Sequence, residues 1–159
     1  MSKTLAAQLR QNQPFSSAEQ EALLGIRMAA ARVTAPWAQF LKTTKDLSTG
    51  QYNVLRILRG SPEALTCGEI GERTIARDPD VTRLVDRLAK RGLVRRTRSH
   101  TDRRVVKVEI TAKGRDLLDE LDPHARRMPR ALLGHLSQTQ LQQLSRLLSA
   151  ALDGMGSFP

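Results

Sequence analysis

The sequence predicts a mainly α-helical fold carrying one small β-hairpin, an α+β class. Three observations predict it. Capping signatures, a Ser or Thr followed three residues later by Glu or Gln, stand at Ser16 with Glu19, Ser48 with Gln51, Thr66 with Glu69 and Ser137 with Gln140. Between them apolar residues recur at the 3.6-residue helical period. After Gly92 alone does the pattern change to alternation, the period of a strand. A chain of 159 residues with 40% hydrophobic content suffices for one compact domain or a small domain with extra helices, and not for two independent cores.

The first helix is expected over about residues 17 to 43, with Leu23, Ile26, Ala30, Val33, Trp37 and Phe40 or Leu41 near one face. Pro36 has no N–H to give and is expected to kink or divide it. A second helix over about 49 to 59 buries Tyr52, Leu55 and Ile57 or Leu58, and Gly60, Ser61 and Pro62 stop it. The third is short, about 67 to 73, with Ile70 inward. The fourth starts with Asp78 as cap and Pro79 in the first turn, and runs through PDVTRLVDRLAKR to Gly92. Val81, Leu84, Val85 and Leu88 make its apolar back; Arg83, Arg87 and Lys90 or Arg91 line a different face.

LVRRTR and RVVKVEI, separated by the polar SHTD, then read as a hairpin. Val106, Val108 and Ile110 face the core, and Val105, Lys107 and Glu109 face out. Thr111 caps a long helix over about 112 to 133, bent near Pro123 and Pro129. The last helix, about 138 to 153, repeats Leu141, Leu144, Leu148 and Ala151 or Leu152, with Leu147 alongside. The order helix, short helix, basic helix, basic hairpin is that of a winged helix-turn-helix. It places a DNA-binding domain at 47–111, with helical regions at 1–46 and 112–159 that the family resemblance described below assigns to dimerisation.

The formal charge is +10, with 26 Lys plus Arg against 16 Asp plus Glu. Twelve of the basic residues and only four acidic ones fall between Arg73 and Lys107, which points to a phosphate-rich partner. A helix about 10 to 12 Å across fits the major groove, where an Arg fork bonds guanine O6 and N7. Arg83 and Arg87 lie one turn apart and both reach bases; Thr82 adds a hydroxyl for base or phosphate and a methyl for thymine. Asp80 either accepts from cytosine or complements the positive helix end. Asp86, an acid on a cationic helix, is expected to bond Arg83, Arg87 or Arg91. Arg95, Arg96 and Arg98 on one strand and Arg103 and Arg104 at the tip reach for phosphates and a narrow minor groove.

VTRLVDRLAKRGLV at 81–94, followed by DRRVVKVEITAKG at 102–114, closely resembles the recognition helix and wing of the multiple antibiotic resistance regulator (MarR) family. The resemblance in helix order extends over about residues 17 to 153. It implies a two-fold dimer with two winged-helix lobes and an interface of N- and C-terminal helices. It carries base reading and phosphate contact to Thr82, Arg83 and Arg87, minor-groove insertion to Arg104, orientation of that arginine to Asp102, and a phosphate contact to Arg103. It implies a repressor of a kind that in many cases releases DNA when one small, often aromatic or phenolic, molecule binds between the lobes and the dimer domain.

The leucine stripe of the last helix supports a homodimer independently, since one small lobe leaves it uncovered. Two reading helices about 34 Å apart then require a pseudo-palindromic site on double-stranded DNA. Trp37, Phe40 and Tyr52 line an effector pocket or are ordinary core.

Cys67, the single cysteine, precludes an internal disulfide and fits the cytoplasm. It is a small core residue in preference to a redox sensor. His100, His124 and His135 make no metal-ligand spacing with each other or with Cys67. No cofactor, metal, membrane span or export signal is expected.

No phosphate-binding glycine loop, metal triad or nucleophile elbow points to an enzyme. One Trp, one Tyr and three Phe are too few for a stacking platform on single strands. A nonspecific architectural DNA-binding protein is the remaining alternative, distinguished by sequence discrimination.

Overall fold

A computed structural model describes residues 4–74, 80–98 and 105–155. The chain forms two compact units, Met1–Asp119 and Glu120–Pro159.

The first unit opens with α1 (Leu5–Leu9), a one-turn helix that the sequence pattern did not signal. Thr4 caps it, and Gln8 accepts a 2.6 Å hydrogen bond from Arg32 on α2 (Ala18–Lys45). The cap of α2 is Ser17, whose hydroxyl accepts from the Gln20 N–H; Gln20 reaches back to the Ser16 N–H at 2.7 Å. The expected Ser16/Glu19 pair is thus displaced by one residue, because adjacent serines and adjacent Glu19 and Gln20 offer two equivalent frames.

Pro36 does not divide α2. Its ring costs the bond to the Arg32 carbonyl, but Arg32 and Pro36 lie on an exposed face where water takes that oxygen. Trp37 and Leu41 hold the helix down from the buried side. The face expected further upstream stays open: Leu23 is 53% exposed and Val33 37%.

Next comes α3 (Thr49–Arg59), closed at its start by the reciprocal Ser48/Gln51 box. Its buried residues are Gln51, Tyr52, Val54, Leu55 and Leu58, so the choice between Ile57 and Leu58 falls on Leu58. The two-residue strand β1 (Leu65–Thr66) leads directly into α4 (Cys67–Glu72), capped by the Thr66/Glu69 box, and then α5 (Val81–Lys90). Asp80 occupies the cap position of α5 without a side-chain capping bond; the expected roles of Asp78 and Pro79 lie outside the described residues.

Strands β2 (Val94–Arg98) and β3 (Val106–Ile110) pair antiparallel, Val94 opposite Ile110 and Arg98 opposite Val106. β1 joins the far side of β3, so the hairpin is part of a three-stranded sheet ordered β1-β3-β2. Two residues are too few to show a period, and Thr66 also caps α4, which hides the strand in the sequence.

Two of the described glycines flank the hairpin and need their lack of a side chain. Gly92 follows α5 at φ +70°, a left-handed conformation that turns the chain into β2. Gly114, in the first turn of α6 (Ala112–Leu133), lies where a Cβ would sit 2.3 Å from the Leu93 carbonyl oxygen and 2.7 Å from Ile110 Cγ1. Thr111 secures the same corner: its hydroxyl donates to the Gly92 carbonyl at 2.8 Å and accepts from the Gly114 N–H at 3.1 Å. The core of this unit gathers Leu41, Leu47, Val54, Leu55, Ile70, Val85, Leu88, Val108 and Leu118, all 0% exposed.

α6 continues through Pro123 and Pro129 without division, and α7 (Gln138–Gly154) begins at the Ser137/Gln140 box. The second unit consists of the end of α6 and α7. No residue of α7 is buried; Leu147 and Leu152 are both 68% exposed.

Candidate nucleic-acid interface

The amphipathic division of α5 follows from its sequence. Val81, Val85 and Leu88 are 7%, 0% and 0% exposed, and this apolar back seats the helix against α3, α4 and β2. Burying three such side chains is worth roughly 5 kcal/mol before conformational entropy is charged. The same spacing leaves Thr82, Arg83, Arg87 and Lys90 exposed. Arg83 stands 3.5 Å from Asp80, an exposed i,i+3 pair that holds the arginine only loosely. Arg87 has no ion-pair partner among the described residues.

The alternation of β2 sends its arginines to opposite faces. Arg95 pairs across the ladder with Glu109, at 2.8 Å, on one side. Arg96 and Arg98 share the other side with Val94, and Arg96 bonds the Asp86 carboxylate on α5. Asp86 is therefore not paired along its own helix as expected. The sheet register brings Arg96 to it from the wing, and the ion pair ties wing to helix. Arg98 is exposed at the outer end of β2. The structure thus brings Thr82, Arg83, Arg87, Arg96 and Arg98 onto α5 and the strand beside it, and puts Arg95 on the reverse of the sheet. The expected roles of Asp102, Arg103 and Arg104, and the position of His100, lie outside the described residues.

At the start of α4, the Thr66 N–H and hydroxyl both donate to Glu69, at 2.7 and 2.9 Å. These bonds hold the Glu69 carboxyl below its ordinary value, with the charges of Lys107 and Arg73 acting in the same direction. Cys67 in the same turn is half-buried.

Trp37, Phe40 and Tyr52 form one aromatic cluster. The Trp37 and Phe40 rings stack with centroids 5.3 Å apart, and Tyr52 meets Trp37 edge-on at 5.1 Å. Arg56 lies 5.9 Å from the Tyr52 centroid, over its ring. No helix among the described residues is long and apolar enough to cross a membrane, and none of their His, Cys, Asp and Glu side chains group as metal ligands.

Two contacts of α5 escaped the sequence reading. Arg91 turns away from the Arg83 and Arg87 face to the end of α2, and Lys113 of α6 donates to the Arg91 carbonyl at 3.0 Å. The helical period offered a hint, since Lys90 lies about 20° from Arg83 around the axis and Arg91 about 80°.

The sequence pattern of the MarR family matches residues 45–105, the segment from the end of α2 into the wing. The transcriptional repressor MprA of Escherichia coli strain K12 is 37% identical over 97 residues, which cover 59% of this chain and 52% of that protein. The chain thus spans about half the length of this relative. A MarR transcription factor structure from Planctomyces limnophilus is 40% identical, with a TM-score of 0.65, covering 87% of this chain and all of that one. BpsR of Bordetella bronchiseptica, whose DNA binding is regulated by 6-hydroxynicotinic acid, is 28% identical with a TM-score of 0.76, over 90% of this chain and 100% of that one.

Proposed function

We propose, on the premise that this chain belongs to the MarR family, that it is a sequence-specific double-stranded DNA-binding transcription regulator and not an enzyme. One observation carries the reading: α5 buries Val81, Val85 and Leu88, with Leu84 half-buried, and leaves a groove-sized face of Thr82, Arg83 and Arg87 exposed beside a basic strand. Residues 47–111 form the reading lobe, and 1–46 with 112–159 supply dimerisation. Arg83 and Arg87 read bases, and Arg98 and Arg103 serve phosphates, whereas Arg95, on the reverse of the sheet, is engaged by Glu109 and Arg96 by Asp86. Arg104 enters the minor groove, oriented by Asp102. The exposed leucines of α7 support a homodimer, and hence a pseudo-palindromic operator.

Repression is the sense of regulation the E. coli relative supports, by its name. The Bordetella protein supports a small aromatic effector, for which the cluster of Trp37, Phe40 and Tyr52 is the proposed seat. The cytoplasm is the compartment that suits such a regulator.

The test is selection from a random-sequence duplex pool by the full chain. An enriched inverted repeat with half-sites about one helical turn apart is the expected result. Arg83→Ala then costs about 1 to 3 kcal/mol on that duplex and relaxes the preference at one position. Equal binding to every duplex would mean an architectural protein instead.

A further inference from the structure

We propose that Arg91 is a positioning residue that clasps the recognition helix α5 to the C-terminal end of α2, so that the pose of the reading face follows α2. This inference rests on the DNA-reading role of α5. Hydrophobic burial of Val81, Val85 and Leu88 holds α5 down but is non-directional, and leaves its rotation and slide weakly specified. Directional bonds at its end supply what burial lacks.

The Arg91 guanidinium donates to the Asp46 carbonyl at 2.8 Å and to the Lys45 carbonyl at 2.9 Å, across more than forty residues of sequence. Both acceptors belong to the last turn and cap of α2, where carbonyls lack helical partners and the helix dipole is negative. The cap itself is shaped for this: Asp46 sits at φ 48° and returns its N–H to Leu41 and Lys42, leaving its own carbonyl outward. The planar fork of arginine spans two carbonyls from a half-buried stem. Lys113 takes the Arg91 carbonyl from the α6 side, so three helices meet at the residue that ends α5.

A side chain spent in this way is not available to phosphate, although it stands in the most basic stretch of the chain. A displacement of the α2 terminus is accordingly passed to Arg83 and Arg87 through a short, polar and directional link.

The experiment compares wild type, Arg91→Ala, Arg91→Lys and Arg98→Ala as full-length chains on the duplex that wild type enriches from the random pool. Anisotropy is recorded over a salt series well below each melting temperature, and amide exchange is measured on the free proteins. Arg91→Ala is expected to bind about tenfold more weakly at every salt concentration, with the slope of log K against log salt unchanged. Arg98→Ala is expected to lower that slope by about 0.9, as a lost phosphate contact does. Exchange quickens in Arg91→Ala at the end of α2 and of α5.

If the alanine variant fails to fold, Arg91→Lys, which keeps one donor, carries the test with a smaller loss at unchanged slope. A reduced slope in either Arg91 variant would make the residue a phosphate contact and overturn the proposal. So would early melting combined with wild-type affinity, or unchanged exchange. If wild type enriches no duplex, the DNA-reading function itself is wrong, and the exchange measurement judges the clasp separately.

Discussion

Helices α5 and α7 have the same amphipathic design and opposite fates. In α5 the apolar stripe is covered by its own chain, with Val85 and Leu88 at 0% exposure. In α7 the stripe is uncovered, with Leu144 at 38%, Leu148 at 40% and Leu147 and Leu152 at 68%. The polar face of α5 is thereby left exposed, as the proposed reading face. In α7 the apolar face is left exposed, and it is the surface proposed to take a second copy. One pattern holds α5 in place and, on the proposed reading, recruits a second copy where cover is missing.

Charging each stripe breaks the comparison most directly. Val85→Asp puts a carboxylate where nothing solvates it, and is expected to cost more than about 4 kcal/mol and abolish the cooperative thermal transition followed by circular dichroism. Leu147→Asp with Leu152→Asp is expected to leave the helical signal intact. It should weaken self-association about a hundredfold in sedimentation, because symmetry counts each change twice. A doubly charged variant that stays dimeric, or unfolds as Val85→Asp does, would remove the distinction between the two helices.

A smaller effect sharpens the role of the polar face of α5. Asp86→Asn removes a negative charge from it and frees Arg96. Binding to random-sequence duplex is expected to tighten about threefold at low salt, with a steeper salt dependence. The lost ion pair costs the lobe under about 1 kcal/mol, since Arg96 and Asp86 are 37% and 46% exposed. Unchanged or weaker binding would show that the pair's bracing of wing against helix outweighs charge.

The smallest effect concerns the caps. The box of α4 uses an ionisable Glu69, whereas that of α7 uses the neutral Gln140. Because the folded state lowers the Glu69 pKa, its contribution is complete above the ordinary glutamate value and is lost as pH falls through the lowered one. Acid titration with amide exchange should show α4 loosening in that window while the α7 cap holds. Glu69→Gln should remove the difference, and an α4 cap indifferent to acid would contradict the assignment.

The capped helices were legible because their signals are local. Ser48 with Gln51 and Ser137 with Gln140 place the starts of α3 and α7 within one turn of sequence. The cationic face of α5 and the hairpin strands were legible for the same reason, through period alone. Asp86 was not, because its partner Arg96 is chosen by the packing of β2 beside α5 and not by helical neighbours. The opposite directions of Arg95 and Arg96, by contrast, are implied by strand alternation alone.

By itself the sequence determined the helices from α2 to α7, the change to a strand period after Gly92, and the concentration of positive charge from Arg73 to Lys107. All of these depend on residues within a turn or two of each other, where backbone geometry leaves few choices. Only the tertiary structure decided which apolar faces find cover, that β1 adds a third strand, that Arg96 serves Asp86, and that Arg91 serves the end of α2. Those outcomes depend on directional contacts between residues far apart in the chain, and local periodicity carries no record of which elements meet.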